Sequence, residues 1–416
     1  MAKNRKTVLK PFTYLQCDEF AEYLSKMAAK GWHFKEWSMG LVFEKGEPEQ
    51  SVYAVEVFFK GSQYSMAPDV ETLDFADFCE AAGWKLIDSR QKFCIFKQTR
   101  ADAVPIVTPQ ERLENACKAY HKQLLGQLLI ALLWVVNLAL RLFPMNQFIN
   151  SAFSNTVLLS CALFAFFFLY DFGKYIWFWC WKYGSKRRCE DGQRDFLRNR
   201  GDRIWNRISI CALCLFTLAY AFTVELWLFG IFLGVIAAMI LLALVLSKLR
   251  PDKETNVGIQ LLFTFLILFG VIIVSFSQFS QYDKEDKPQT APLTLADLGQ
   301  DAGEITSMHA YEDSSILGSK RDYFLYYKDA SLIYEIVDTQ HDWLLELIWK
   351  DHVQVESTIH GSVTDCTALW DAEAAFYNGR DYYVRYEDRI LIFRFLKFEL
   401  SPEQVSMILS ALETGG

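Results

Sequence analysis

The chain has few of the residues that carry catalysis or metal binding, and those it has are spaced for neither task. Its 416 residues include 6 histidines and 10 cysteines. Four of the histidines, His309, His341, His352 and His360, fall near the C-terminus with gaps unlike the three- or four-residue spacing of ligand pairs. No zinc-type pairing of two CxxC motifs exists. Cys211 and Cys214 make one CxxC, but inside an apolar run, where they read as small helix-packing residues. Cys366 stands alone in the C-terminal region, which excludes a disulfide within it. No GxSxG or related nucleophile setting occurs. The expectation is a non-enzymatic protein without cofactor or metal.

A basic soluble domain is also missing. The net charge is −8, from 42 Lys and Arg against 50 Asp and Glu. The cations crowd short stretches in the middle of the chain, so the imbalance concerns topology, and nucleic acid is not expected as a partner. An apolar run after the basic Met1 to Lys10 is lacking too, so no cleavable signal peptide is expected.

What is abundant is hydrophobicity, at 52% apolar and 16% aromatic residues. Apolar stretches cover Leu124 to Leu140, Val157 to about Trp177, Ile208 to Leu246 and Ile259 to Phe279. The third is too long for one crossing: as a single helix it would approach 60 Å, roughly twice the hydrocarbon thickness. Its one charge, Glu225, lies near the midpoint, so a turn at Thr223 to Leu226 is expected. That makes five spans, about 122–142, 155–178, 208–223, 227–247 and 258–279, in a domain over 120–280.

Charge placement orients them. The segment from Lys182 to Arg207 carries Lys182, Lys186, Arg187, Arg188, Arg194, Arg198, Arg200, Arg203 and Arg207, and Lys248, Arg250 and Lys253 precede the last span. Both resist translocation. The reading is a multi-pass cell-membrane protein with a cytoplasmic N-terminus and an extracytoplasmic C-terminus. The cations from Lys186 to Arg207 are the candidate contacts for lipid headgroups or an acidic protein partner, tempered by Glu190, Asp191, Asp195 and Asp202 among them. Within the spans, Asp171 and Lys174 are spaced for a local ion pair; a proton relay is the alternative.

Two α+β domains are expected outside the spans. The first, over 12–98, contains an echo: Phe20-Ala21-Glu22-Tyr23-Leu24 with Gly31-Trp32, and Phe75-Ala76-Asp77-Phe78-Cys79 with Gly83-Trp84. Each copy reads as a helix closed by glycine, followed by strands. Trp32 and Trp84 are either a ligand-stacking platform or part of the core. The second domain, over 293–416, follows a polar linker at Ser280 to Pro292. It repeats Arg321-Asp322-Tyr323 through Asp329 as Arg380-Asp381-Tyr382 through Asp388. The expectation is a duplicated strand–hairpin–helix unit in one sheet, with helices on one face.

The run Tyr23-Leu24, Met27 to Trp32, Phe43 to Pro48, Tyr53, Ala82-Gly83-Trp84 and Phe96 resembles the bacterial domain-of-unknown-function family numbered 2812. The resemblance implies a domain that continues into membrane helices, encoded near PadR-type transcriptional regulators. It brings no catalytic or ligand residues. The function expected is a sensor or regulatory module linking an external domain to a cytosolic one. The rivals are a transport accessory or small transporter, and an enzyme in the external domain.

Overall fold

A computed structural model describes residues 4–142, 145–193, 196–223, 226–266, 291–300, 302–360, 363–394, 396 and 398–414. The chain divides into two compact units, Met1–Val135 with Phe164–Ser277, and Val136–Leu163 with Gln278–Gly416. Both mix helix and sheet.

The first unit opens with the same motif twice. Strand β1 (Arg5–Val8), helix α1 (Cys17–Ala28) and the hairpin β2 (Trp32–Trp37) and β3 (Leu41–Lys45) form a three-stranded sheet in the order β1-β3-β2. Strand β4 (Tyr53–Val57), helix α2 (Val70–Ala81), β5 (Trp84–Arg90) and β6 (Phe93–Gln98) repeat it in the order β4-β6-β5. All pairings are antiparallel. The likeness reaches local detail: each hairpin carries a bulge two residues past its tryptophan, between Phe34 and Glu36 and between Leu86 and Asp88. The glycines that end the helices, Gly31 and Gly83, have φ of +75° and +93°. A Cβ at Gly31 would lie 2.7 Å from the Gly46 carbonyl oxygen, so only glycine turns the chain here without strain. Trp84 is buried and donates from its indole to the Val104 carbonyl at 2.7 Å, and Trp32 packs half-buried against the core. Both tryptophans are structural.

Span-length helices follow. Thr108 and Pro109 start α3 (Pro109–Leu142), with the Thr108 hydroxyl accepting from the Glu111 amide at 3.3 Å. Leu113, Ala116, Cys117, Tyr120 and Leu124 form a buried stripe at helical spacing. They join Phe20, Leu24, Phe43 and Phe93 in one core, which also takes in Phe178, Phe196 and Leu197. Helix α4 (Met145–Ala152) is short; α5 (Asn155–Glu190) is about 54 Å long at 36 residues. Next come α6 (Gly201–Thr223), α7 (Leu226–Leu249) and α8 (253–266).

Among the described residues, four helices are long and apolar enough to cross a membrane: Pro109–Val136, Asn155–Glu190, Gly201–Phe222 and Phe229–Leu249. The expected fifth span runs past 266, and Glu225 of the expected turn falls between α6 and α7. The part of that span beyond 266 and Glu225 lie outside the described residues, as does most of the linker at Ser280 to Pro292.

The second unit is built on a seven-stranded antiparallel sheet. Its strands are β7 (Ile305–Ser315), β8 (Gly318–Tyr327), β9 (Ser331–Asp338), β10 (Thr364–Asp365), β11 (Ala374–Tyr377), β12 (Tyr382–Arg385) and β13 (Arg389–Arg394), in the order β10-β11-β12-β13-β9-β8-β7. The two sequence repeats meet where β9 pairs with β13. Helices α9 (Asp342–His360), α10 (Thr367–Trp370) and α11 (Pro402–Thr414) complete the unit. They do not share one face. Val405, Ile408 and Leu412 of α11 pack with Tyr334, Ile336, Leu391 and Phe393. By contrast, Leu344, Leu345 and Ile348 of α9 pack with Val337, Ile390 and Ile392, the alternate residues of the same strands. The repeat therefore extends through the strands but not to the helices. On its own face α9 shares the apolar surface with Ile149, Ala152 and Phe153 of α4 and its C-terminal end.

The repeated tyrosines are core members. Tyr323 stacks on Tyr334 with centroids 4.6 Å apart, and Tyr382 on Tyr377 at 4.3 Å. Tyr327 and Tyr382 accept from the backbone amides of Leu295 and Leu400 at 3.0 and 2.9 Å, and the Tyr386 hydroxyl donates to the Trp370 carbonyl at 2.9 Å.

Candidate functional site

The features of the first unit that go beyond packing are two buried ionic clasps. They tie its sheets to the ends of its helices.

The first clasp centres on Arg112, in the opening turns of α3. Its guanidinium lies 2.5 Å from Asp18 and 2.8 Å from Glu56, and it donates to the Val55 carbonyl at 3.1 Å. One cation thus faces two carboxylates. Burial pushes the Glu56 carboxyl up to about 7, against the pull of Arg112. The second oxygen of Asp18 accepts from the Leu197 amide at 2.8 Å, so the same carboxylate reaches the connection between α5 and α6. Gln16 adds a hydrogen bond to the Asn199 carbonyl at 2.8 Å. Beyond it, fully buried Asp202 in the first turn of α6 accepts from the Tyr120 hydroxyl at 2.5 Å. The positive end of the α6 dipole favours a carboxylate there. The Nζ of Lys174 lies 3.7 Å from Asp202. The Asp171–Lys174 pair expected from spacing is not the one formed, because Lys174 is turned toward the α6 terminus. Gly201 permits the approach: a Cβ there would meet the Trp177 ring at 2.5 Å.

The second clasp centres on Arg250, just past α7. It has a φ of +50°, and its amide donates to the Leu246 carbonyl at 2.9 Å, closing the helix. Its guanidinium meets Asp88 at 2.5 Å and Glu36 at 3.7 Å. These two acids are the residues that follow the bulges in the two copies of the motif, so the duplication brings equivalent positions onto one arginine. Arg250 also donates to the carbonyls of Met66 at 2.8 Å and Ser89 at 3.2 Å. Asp88 accepts in addition from the Trp37 amide at 2.6 Å, while burial raises its pKa. Arg90 donates to the Ser247 hydroxyl at 2.7 Å. In sequence Arg250 reads as one of the topology-setting cations before the last span; here it is a largely buried clasp residue.

The expected contact cations separate into groups. Arg198, Arg200 and Arg203 converge with Lys10 and Lys26 around a cavity of about 290 Å³. Arg198 pairs with Glu22 at 2.5 Å, and Arg203 with Glu19 at 3.2 Å. Lys186 is exposed, lies 3.8 Å from Glu190, and lines a separate cavity of about 360 Å³ with His121, Trp179 and Lys182. Arg188 donates to the Ser185 hydroxyl at 2.7 Å. Arg187 and Arg207 are exposed, and Arg194 lies outside the described residues. Sequence reasoning passed over Asp18, Glu56, Asp88 and Arg112. The available signal was the apolar stripe of α3, which places Arg112 beside the buried face.

Residues 16–129 match the family described as protein of unknown function, DUF2812. The N-terminal domain belongs to that family, and the match runs beyond the sheets into α3. Asp18, Glu56 and Arg112 all fall inside it; Asp202 and Arg250 do not. No curated protein and no solved structure matches the chain.

Proposed function

We propose that the chain is a multi-pass membrane protein without enzymatic activity, a regulatory module that links an extracytoplasmic C-terminal domain to a cytosolic N-terminal one. One observation carries this reading. The connections after α5 and α7, which hold the basic residues, are fastened to the N-terminal domain within the first unit. The connection after α3 is fastened to the C-terminal domain within the second: Lys320 reaches Asn150 at 2.7 Å, and the Ser315 hydroxyl donates to the Ala152 carbonyl at 2.7 Å. Alternate connections therefore go with alternate domains, as spans that cross in turn require. Positive segments resist translocation, which supports a cytosolic N-terminal domain.

In this reading a change in the external domain shifts the ends of the first two spans. The buried clasps, which tolerate little rearrangement, pass that shift to the cytosolic sheets. The exposed cations Lys186, Arg187 and Arg207 meet anionic lipid headgroups, each contributing about 1 kcal/mol near the surface, and the cytosolic domain recruits a protein partner. The test is proximity labelling from the N-terminus, comparing the full chain with one that lacks residues 293–416. Regulation across the membrane predicts a changed set of labelled neighbours. An identical set at equal expression removes the basis for it.

A further inference from the structure

The cavity of about 290 Å³ beside α1 is lined by five cations and two carboxylates. The carboxylates are already engaged. Glu22 bridges Lys26 and Arg198, and Glu19 holds Arg203. Lys10 and Arg200 form no ion pair among the described residues. Lys10 is instead held over the Tyr23 ring, its Nζ 3.9 Å from the centroid. Burial, then the like charge of Arg203, lowers the Lys10 pKa. Two cations without an ion pair among the described residues, Lys10 and Arg200, thus line a recess small enough to exclude a large ligand.

We propose that this recess binds a phosphate-bearing anion, held by Lys10 and Lys26 from the N-terminal domain, by Arg200 at the end of the connection between α5 and α6, and by Arg203 in the first turn of α6. Arginine forks match phosphate oxygens in pairs, and lysines add compact charge. Such an anion joins the two segments that the first clasp also joins, so its binding tightens the domain onto the helix ends. The site does not depend on the coupling reading above. The phosphate has two chemical sources, a dissolved solute or a phospholipid headgroup.

The experiment uses the full chain and reads its thermal unfolding midpoint under two probes. In neutral maltoside detergent the probe is pyrophosphate, with sodium chloride at matched ionic strength as control. In nanodiscs it is phosphatidylglycerol against phosphatidylcholine. A saturable rise with pyrophosphate assigns a soluble ligand; a rise with phosphatidylglycerol alone assigns a headgroup. In either case the doubly substituted Lys10→Ala/Arg200→Ala chain should lose affinity by about tenfold or more, as expected for removing charge-assisted contacts. A Lys118→Ala chain, altered at the other cavity, should keep it. Without probe, the Lys10 and Arg200 variants should melt no lower than the parent, since their removal relieves repulsion; Arg200→Ala alone serves as the milder variant. The proposal is overturned if neither probe shifts the midpoint, or if the shift survives the double substitution.

Discussion

The guanidinium of Arg250 lies 2.5 Å from the carboxylate of Asp88, joining the residue that closes α7 to the bulge of a strand far away in sequence. Both side chains are largely hidden, with 17% and 5% of their surface exposed. Removing the cation leaves a buried carboxylate without its partner, a change that costs about 3–5 kcal/mol. Arg250→Met should therefore lower the unfolding midpoint and open β5 to hydrogen exchange. The Arg250→Met/Asp88→Asn pair should recover part of the loss. A double variant no more stable than Arg250→Met alone would show that the two residues are not coupled.

Glu56 makes the first clasp sensitive to pH. Its folded pKa of about 7 lies above the ordinary 4.5, so the folded state binds more protons between those values. The stability this group contributes is fully present below about pH 4.5 and is lost as pH rises through 7. Between pH 5 and 8 the loss amounts to about 2–3 kcal/mol. Glu56→Gln should flatten that part of the profile, measured as chemical unfolding of the purified chain against pH. Arg112→Met, which leaves Asp18 and Glu56 facing each other, should steepen it.

The turn glycines give a local test of the duplicated motif. Gly31→Ala and Gly83→Ala each place a side chain at positive φ, and each new Cβ comes within 3.0 Å of a neighbour. Each should destabilise the N-terminal domain by about 1–3 kcal/mol. The loss should be larger at Gly31, where the obstacle is a backbone carbonyl. Equal midpoints for parent and both variants would contradict the geometry.

In the second unit, Phe153 is fully buried between α4 and the sheet. Phe153→Ala should cost about 3–5 kcal/mol. Limited proteolysis should then cut near residues 148–155 before it cuts the strands. Simultaneous loss of both would mean that α4 is inseparable from the domain.

The proposed topology predicts opposite labelling of two exposed positions, Lys60 and Lys328. In sealed spheroplasts a membrane-impermeant maleimide should modify Lys328→Cys and spare Lys60→Cys, with both modified after permeabilisation. The reverse pattern would invert the assignment, and labelling of both in sealed cells would abolish it.

Much of the architecture was legible in local pattern. Apolar run length marked the helices, and Gly31 and Gly83 marked two helix ends, because backbone sterics act within a few residues. The echoes Phe20/Phe75 and Arg321/Arg380 pointed to duplication for the same reason. Strand β1 was not legible: Arg5 to Val8 is polar, and it becomes a strand only because β3 offers an open edge. The placement of α9 was missed because strands β9 and β13 are apolar on both faces, so alternation along them does not say which face a following helix covers.

The sequence alone determined the span-length helices, the existence of two folded domains and the family of the first, since each rests on composition or short-range order. Only the tertiary structure decided which charges work as pairs. Asp18 with Arg112, Asp202 with Lys174, and Asp88 with Arg250 are brought together by the packing of a shared apolar core. An ion pair depends on distance in space, which spacing along a chain does not encode.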